Sequence, residues 1–147
     1  MNKGFLILLL LCCVSCGSGY NLNFENNRSD YENAVKCLNN NYNKIYSAST
    51  IENSVSIDRD SLDKFDRCTD IKLLFEREPL KYISVRRDSS IWFTSKSSGN
   101  DFRSRQFILL HLNKGTIRDI NLTRDIKLIS SIDTSWYQLE RITSLAD

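Results

Sequence analysis

The chain contains a single proline, Pro79, and the spacing of its apolar residues changes on either side of it. Before Pro79, apolar side chains recur every three or four residues, which is the period of a helix buried on one face. After Pro79 they recur every second residue, which is the period of a β-strand. Because proline disfavours helical geometry in the residue before it, we expect the change from helix to strand at this point.

Two helices are predicted before Pro79. The first spans residues 29–46 and opens on a capping box formed by Ser29 and Glu32. A loop rich in Ser, Thr and Asn follows at residues 47–55. The apolar stripe of the first helix consists of Tyr31, Val35, Leu38, Tyr42 and Ile45.

The second predicted helix is shorter and opens with an acidic cluster at residues 58–60. Acidic side chains in a first helical turn complement the helix dipole. The same cluster is a poor calcium loop, because the glycine and the distant bidentate glutamate of an EF-hand are missing. The apolar face of this helix consists of Leu62, Phe65 and Leu73.

Five strands are predicted after Pro79. Turns at residues 88–90 and 133–135 join two pairs of them, and the Asp and Ser side chains there can bond the turn backbone. Helices followed by consecutive strands indicate the α+β class, with two N-terminal helices packed on an antiparallel sheet of about five strands connected as a meander. The predicted strands are residues 80–86, 91–95, 105–112, 126–132 and 136–142.

The N-terminus has the layout of a secretory signal peptide. Lys3 precedes a run of apolar residues, 5–14, and small residues follow this run. The run is too short for a permanent membrane span, since such a helix needs about 20 apolar residues. We therefore expect residues 1–15 to be removed when the protein is exported.

The segment Cys13-Val14-Ser15-Cys16 resembles the processing site of bacterial lipoproteins, with Cys13 standing where that site usually has leucine. The resemblance implies cleavage before Cys16, acylation of Cys16 with chains such as palmitate, and a membrane-anchored location on the cell envelope. The chain is also similar in layout to short lipoproteins of Bacteroidota. The similarity rests on the end of the signal segment, the Asn-rich composition and the hairpin at residues 136–137. A plain signal peptide that releases a soluble, secreted protein is the alternative.

Two parts are expected in the mature chain. Residues 16–28 are polar and rich in Gly, Ser and Asn, which is typical of a flexible tether, here a lipid-anchored one. Residues 29–147 contain no low-complexity run or linker, so we expect them to form a single α+β domain.

Cys37 and Cys68 are the cysteines that remain beyond Cys16. Disulfides form and persist in exported proteins, so we expect these two to pair and to join the two helices. The loop that they close stabilises the fold by about 3–4 kcal/mol in the chain-entropy treatment. Two unpaired thiols are the alternative.

Few side chains suit catalysis or cofactor binding. His111 is the only histidine and lies in an apolar strand, where a histidine is more often a packed residue than a base. Neither a Gly-x-Ser-x-Gly elbow nor a phosphate-binding glycine loop is present in the sequence. One histidine and two paired cysteines cannot complete a zinc site without carboxylates. We expect no metal or cofactor, and the net charge of +2 does not favour nucleic acid.

An aromatic surface is the best candidate for binding. Trp92 and Trp136 each follow a predicted turn, and tryptophan is enriched at the energetic centres of interfaces. In one interpretation, both lie on the sheet face away from the helices and form a surface for a partner or a small ligand. In the other, the sheet curls or the loop at 113–125 covers that face, and both tryptophans belong to the core.

Together these features predict a small lipid-anchored cell-envelope protein whose domain binds an envelope protein or a small ligand and is not an enzyme. One alternative is an inhibitor or immunity protein at the membrane, acting through the aromatic face or the acidic helix at 58–66. A second alternative is a hydrolase that uses His111 as its base.

Overall fold

The computed structural model describes residues 21–47, 54–65, 68–100 and 103–144. The predicted signal peptide and the predicted lipidation site, Cys16, lie outside these ranges. Within them, no helix has both the length and the apolarity that crossing a membrane requires. The elements are α1 (Phe24–Asn40), α2 (Tyr42–Ser47), β1 (Ser54–Ile57), a 3₁₀ helix (Arg59–Phe65), α3 (Thr69–Arg77), β2 (Leu80–Arg86), β3 (Ser90–Ser95), β4 (Ser98–Asn100), β5 (Arg103–Leu112), a second 3₁₀ helix (Ile117–Asp119), β6 (Ile126–Ser131) and β7 (Trp136–Ser144).

The fold is α+β, as predicted, and the chain passes from helix α3 to strand β2 at Pro79, although β1 already precedes α3. All five predicted strands are present, but the sheet of the described residues has seven strands. The prediction missed β1 and β4, which are only four and three residues long. Strands this short carry too few residues to show a period of two.

The order of the strands is β1-β2-β3-β5-β7-β6, with β4 paired to β5, and every pair is antiparallel. The predicted meander is therefore wrong, because β7 lies between β5 and β6. Burial accounts for this order: β7 buries Trp136, Tyr137 and Leu139, whereas β6 buries only Ile126. The more apolar strand takes the inner position and the more polar strand forms the edge.

The helix α1 begins at Phe24, whereas the sequence predicted a start at Ser29 and a tether up to that point. Asn23 caps the helix by accepting from the amide of Asn26 at 3.4 Å. The backbone amide of Asn23 also donates to the buried carboxylate of Glu78 at 3.0 Å. The Asn23 cap is a local signal that the prediction missed, whereas the contact with Glu78, 55 residues away, leaves no signal near α1.

The second predicted helix is two helices, the 3₁₀ helix and α3. Its predicted apolar face is wrong at Leu73, which is 37% exposed, while Leu74 is buried instead. The predicted disulfide is present: Cys37 on α1 is bonded to Cys68, the residue that precedes α3. The bond therefore joins the two helices that cover the sheet.

Both faces of the sheet are covered. The helix-side core contains Tyr31, Leu74 and Phe93, packed beneath α1 and α3. The core on the opposite face, which we call the far-side core, is covered by Ile117, Ile120 and Leu122 of the segment between β5 and β6. The far-side core consists of Trp92, Ile108, Leu110, Leu112, Ile126, Tyr137 and Leu139.

Candidate functional site

The two tryptophans that were predicted to centre a binding face are both buried. Trp92 is 2% exposed in the far-side core, where its indole nitrogen donates to Ser90 Oγ at 2.9 Å. Trp136 is 3% exposed on the helix side, with its ring centroid 4.7 Å from that of Phe24. They lie on opposite faces of the sheet and cannot form one surface. The aromatic binding face is therefore wrong, and both residues belong to the core, as in the alternative interpretation.

The polar and ionisable side chains that could bind a ligand or take part in catalysis converge elsewhere. They line a surface cleft of about 490 Å³ that we call the His111 cleft. It lies where α1, the end of β5 and the turn between β6 and β7 meet. The contributions of α1 recur at helical spacing, so one strip of that helix lines the cleft. The lining residues are Arg28, Glu32, Val35, Lys36, Asn39, His111, Asn113, Asp133, Thr134, Ser135 and Trp136.

Arg28 joins α1 to the turn between β6 and β7 at the rim of the cleft. Its Nε donates to Glu32 Oε1 at 2.8 Å, and its Nη2 donates to Asp133 Oδ2 at 2.7 Å. The guanidinium also lies 5.4 Å from the centre of the Phe24 ring. About half of the Arg28 side chain is exposed. Solvent therefore screens both ion pairs, and their main effect is to hold the two carboxylates in place.

Asp133 is held by its own turn as well as by Arg28. Its Oδ1 accepts from the backbone amides of Ser135 at 2.8 Å and Trp136 at 2.9 Å. Burial acts to raise the pKa of Asp133, but the two amides and the Arg28 guanidinium outweigh burial and lower it. The carboxylate is therefore ionised at neutral pH, with both of its oxygens engaged.

His111 forms the inner wall of the cleft. Its ring is half-buried and meets the ring of Trp136 edge to face, with the centroids 4.6 Å apart. Burial lowers the pKa of His111, while the charges of Asp133 and Glu32 oppose that effect. Its Nδ1 is buried and makes no hydrogen bond within the described residues. The imidazole is therefore neutral at pH 7 and has an unused polar atom.

Two asparagines close the other end of the cleft. The side-chain amides of Asn39 and Asn113 donate to each other's oxygens, both at 2.8 Å. Asn113 also donates to the backbone carbonyl of Ser89, in the turn between β2 and β3. Ser89 itself has a positive φ of 63°, a conformation that few residues other than glycine adopt. The amide pair thus connects α1 to two turns of the sheet.

Within the described residues, His111 and Asp133 are not hydrogen-bonded to each other. A histidine base is normally oriented by a hydrogen bond from its second nitrogen to a carboxylate. Asp133 instead gives its oxygens to Arg28 and to turn amides, and His111 Nδ1 has no partner among the described residues. The described ranges also contain no group of three or more His, Cys, Asp or Glu residues able to hold a metal ion.

Sequence reasoning identified His111 but not the residues around it. The sequence places Arg28 in the predicted tether, and it predicts for Asp133 only hydrogen bonds to the backbone of its own turn. The spacing of Arg28 and Glu32 by four residues is the one local signal of the cluster, because such pairs face each other on a helix. The contact between Arg28 and Asp133 spans 105 residues of sequence and leaves no local signal.

Comparison with models of protein families, with curated proteins and with solved structures finds no match for this chain.

Proposed function

We propose that the protein is a small lipid-anchored component of the cell envelope whose domain binds a polar ligand or a protein segment in the His111 cleft, without transforming it. The resemblance of residues 13–16 to a lipoprotein processing site supports the anchor. The arrangement of polar groups in the cleft is the observation that carries the binding function.

The cleft has the properties of a binding site. Its volume of about 490 Å³ is within the range of small-molecule pockets. It offers the neutral imidazole of His111, the ionised carboxylate of Asp133 and the amide pair of Asn39 and Asn113, all held by hydrogen bonds or packing. Groups fixed in this way lose little conformational freedom when a ligand binds, which favours affinity.

The absence of an oriented base within the described residues supports binding rather than hydrolysis. A His111→Gln variant distinguishes the two functions. If the proposal is right, the variant changes the affinity of the cleft for its ligand, and the turnover of envelope substrates stays as it is in the wild type. A variant that folds normally but loses such a turnover would favour the hydrolase.

Photo-crosslinking in intact envelopes tests the binding site. A photoreactive side chain replaces Lys36, which is exposed at the rim of the cleft. The matched control replaces Lys72, which is exposed on α3 outside the cleft. We expect a discrete crosslinked product from position 36 and none from position 72. Identical products from both positions, or none from position 36, would contradict the proposed site.

An inhibitor or immunity protein is a second candidate, favoured by the exposed carboxylates of Asp60 and Asp63 on the first 3₁₀ helix. Such a surface suits a basic partner, as many nucleases are. A photoreactive residue at position 63 tests this candidate in the same envelopes. One stoichiometric nuclease or hydrolase crosslinked there would favour it over the cleft.

A further inference from the structure

The edge of the sheet at β6 carries an exposed apolar patch that the His111 cleft does not include. We propose that this patch, formed by Leu128, Ile129 and Ile132 and named here the β6 patch, lies against the lipid bilayer and enters its headgroup region. The inference rests on the proposed lipid anchor at Cys16 and adds the orientation of the domain on the membrane.

Exposure of apolar side chains is concentrated in the β6 patch. Among the described residues, the four large apolar side chains with the greatest exposure are Leu73, Leu128, Ile129 and Ile132. Three of the four lie within five residues of sequence, with exposures of 45%, 49% and 36%. Several exposed apolar side chains along one sheet edge indicate a surface that meets a partner or a membrane, whereas an isolated one does not.

Pairing with another strand does not explain the patch. Among the strands that the structure describes, β6 is an edge strand, bonded only to β7. Its register with β7 shifts between Leu128 and Ser130, so a bulge interrupts the strand at Ile129. The strand also carries an exposed lysine, Lys127. Bulges and lysines are devices that protect an edge from strand addition, yet the apolar side chains remain exposed.

The described chain begins beside this patch. Leu22 and Phe24 line a groove of about 470 Å³ together with Ser130 and Ile132. The N-terminal end of the domain is thus adjacent to the β6 edge.

The short length of chain between Cys16 and Leu22 limits how the domain can be oriented on the membrane. Six residue steps span at most about 22 Å, even when fully extended. A domain of this size is roughly 35 Å across. A chain acylated at Cys16 therefore holds the side that carries Leu22 towards the bilayer, and the β6 patch lies on that side.

The charge beside the patch suits an anionic membrane. A shallow depression at the start of β6 is lined by three basic residues, Arg103, Arg124 and Lys127, and by one acidic residue, Asp125. Basic side chains next to exposed apolar ones are typical of surfaces that bind anionic phospholipids.

Depth-sensitive fluorescence on the acylated protein tests the orientation. An environment-sensitive dye is attached to Ile129→Cys in the mature protein, reconstituted into vesicles of phosphatidylethanolamine and phosphatidylglycerol. The matched control carries the dye on Ser56→Cys, an exposed position of β1 at the opposite edge of the sheet. We expect blue-shifted emission at position 129, quenched by nitroxide lipids and protected from aqueous iodide. At position 56 we expect quenching by iodide alone.

The mass of the mature protein, measured on the same samples, separates the possible failures. Iodide quenching at both positions in a protein acylated at Cys16 overturns the orientation and leaves the anchor intact. Lipid quenching at both positions also overturns it, because a sheet whose β6 edge faces the bilayer holds its β1 edge away from the lipid. An unmodified Cys16 overturns the anchor and the orientation together.

Discussion

At the scale of single residues, Glu78 connects the start of α1 to the junction of α3 and β2. Its side chain is 4% exposed and accepts hydrogen bonds from the backbone amide of Asn23 and the side-chain amide of Asn27. Asn27 departs from helical geometry, with φ −118° and ψ 21°, so the helix is kinked where it meets this carboxylate. Glu78 therefore holds the start of α1 together with the Asn23 cap.

Replacing Glu78 with alanine leaves the amides of Asn23 and Asn27 without their acceptor. We expect the free energy of unfolding to fall by about 2–3 kcal/mol, since hydrogen bonds to charged groups are the strong ones. Urea denaturation measures the change. The matched control is Glu76→Ala, at an exposed position of α3, with an expected change within about 0.5 kcal/mol. Equal effects of the two substitutions would contradict the role of Glu78.

The lowered pKa of His111 makes the free energy of unfolding depend on pH. Burial lowers this pKa below the ordinary value of 6.5, so the unfolded chain binds the proton first as the pH falls. The stabilisation is therefore complete above pH 6.5 and is lost as the pH falls towards the folded-state pKa. The lowered pKa of Asp133 acts in a separate window, below its ordinary value of 3.8.

A His111→Gln variant should remove the loss of stability that His111 causes as the pH falls below 6.5. We expect its free energy of unfolding to change less than that of the wild type between about pH 7 and pH 5. Urea midpoints across this range measure the difference. A variant that loses stability as steeply as the wild type would show that His111 is not the group responsible.

The burial of Trp92 and Trp136 predicts the intrinsic fluorescence of the protein. Both indoles are shielded from solvent, and the Arg86 guanidinium lies 3.8 Å from the centre of the Trp92 ring. We expect blue-shifted emission that iodide quenches poorly, changing to red-shifted and quenchable emission in urea. Trp92→Phe and Trp136→Phe variants report each indole separately, and strong quenching of either in the folded state would contradict its place in the core.

At the scale of elements, the disulfide between Cys37 and Cys68 fastens α1 to α3 across a sequence separation of 31 residues. These helices together cover the helix-side core, so the bond connects two halves of one layer. The sequence also predicted this pairing, since the two residues are the only cysteines beyond the proposed anchor.

Removing the disulfide should weaken the fold without changing its architecture. We expect a Cys37→Ser, Cys68→Ser double variant to lose about 3–4 kcal/mol in the free energy of unfolding. Mass spectrometry of the non-reduced wild type should detect no alkylatable thiol at either position. A wild type with two alkylatable thiols would show that the bond is absent.

The elements that the sequence predicted well are those with a local signal. Pro79 marked the change from helix to strand, and the Asp133 turn was recognised because its side chain bonds its own backbone. The contact of Glu78 with the start of α1 spans 55 residues, and the position of β7 in the sheet depends on relative burial, so neither has such a signal. The sequence pattern allows Trp136 on either face of the sheet. In the structure Trp136 packs against Phe24, which places it on the helix side.

The candidate site was harder to predict than the fold. His111 was visible as the only histidine, but its surroundings come from α1, β5 and β7, which are distant in sequence. Because the sequence places Arg28 in the tether, it does not predict an ion pair between Arg28 and Asp133. Contacts of this kind follow from the strand order, which the spacing of apolar residues does not specify.

At the scale of the whole molecule, we propose a lipid anchor joined to a domain that carries a binding cleft and, at the β6 edge, a membrane-facing patch. The helical start at Phe24 shortens the proposed tether, so we expect an anchored domain to lie close to the bilayer. Both the orientation on the membrane and access to envelope ligands depend on acylation of Cys16. Acylation of Cys16 is therefore the claim on which both proposals depend.

Metabolic labelling with a clickable palmitate analogue tests this claim most directly. We expect the wild type to incorporate the label and a Cys16→Ala variant to lose it. A Cys13→Leu variant should retain it, because leucine is the usual residue at that position of a lipoprotein processing site. An unlabelled wild type, or label that persists in Cys16→Ala, would contradict the lipid-anchored envelope protein proposed here.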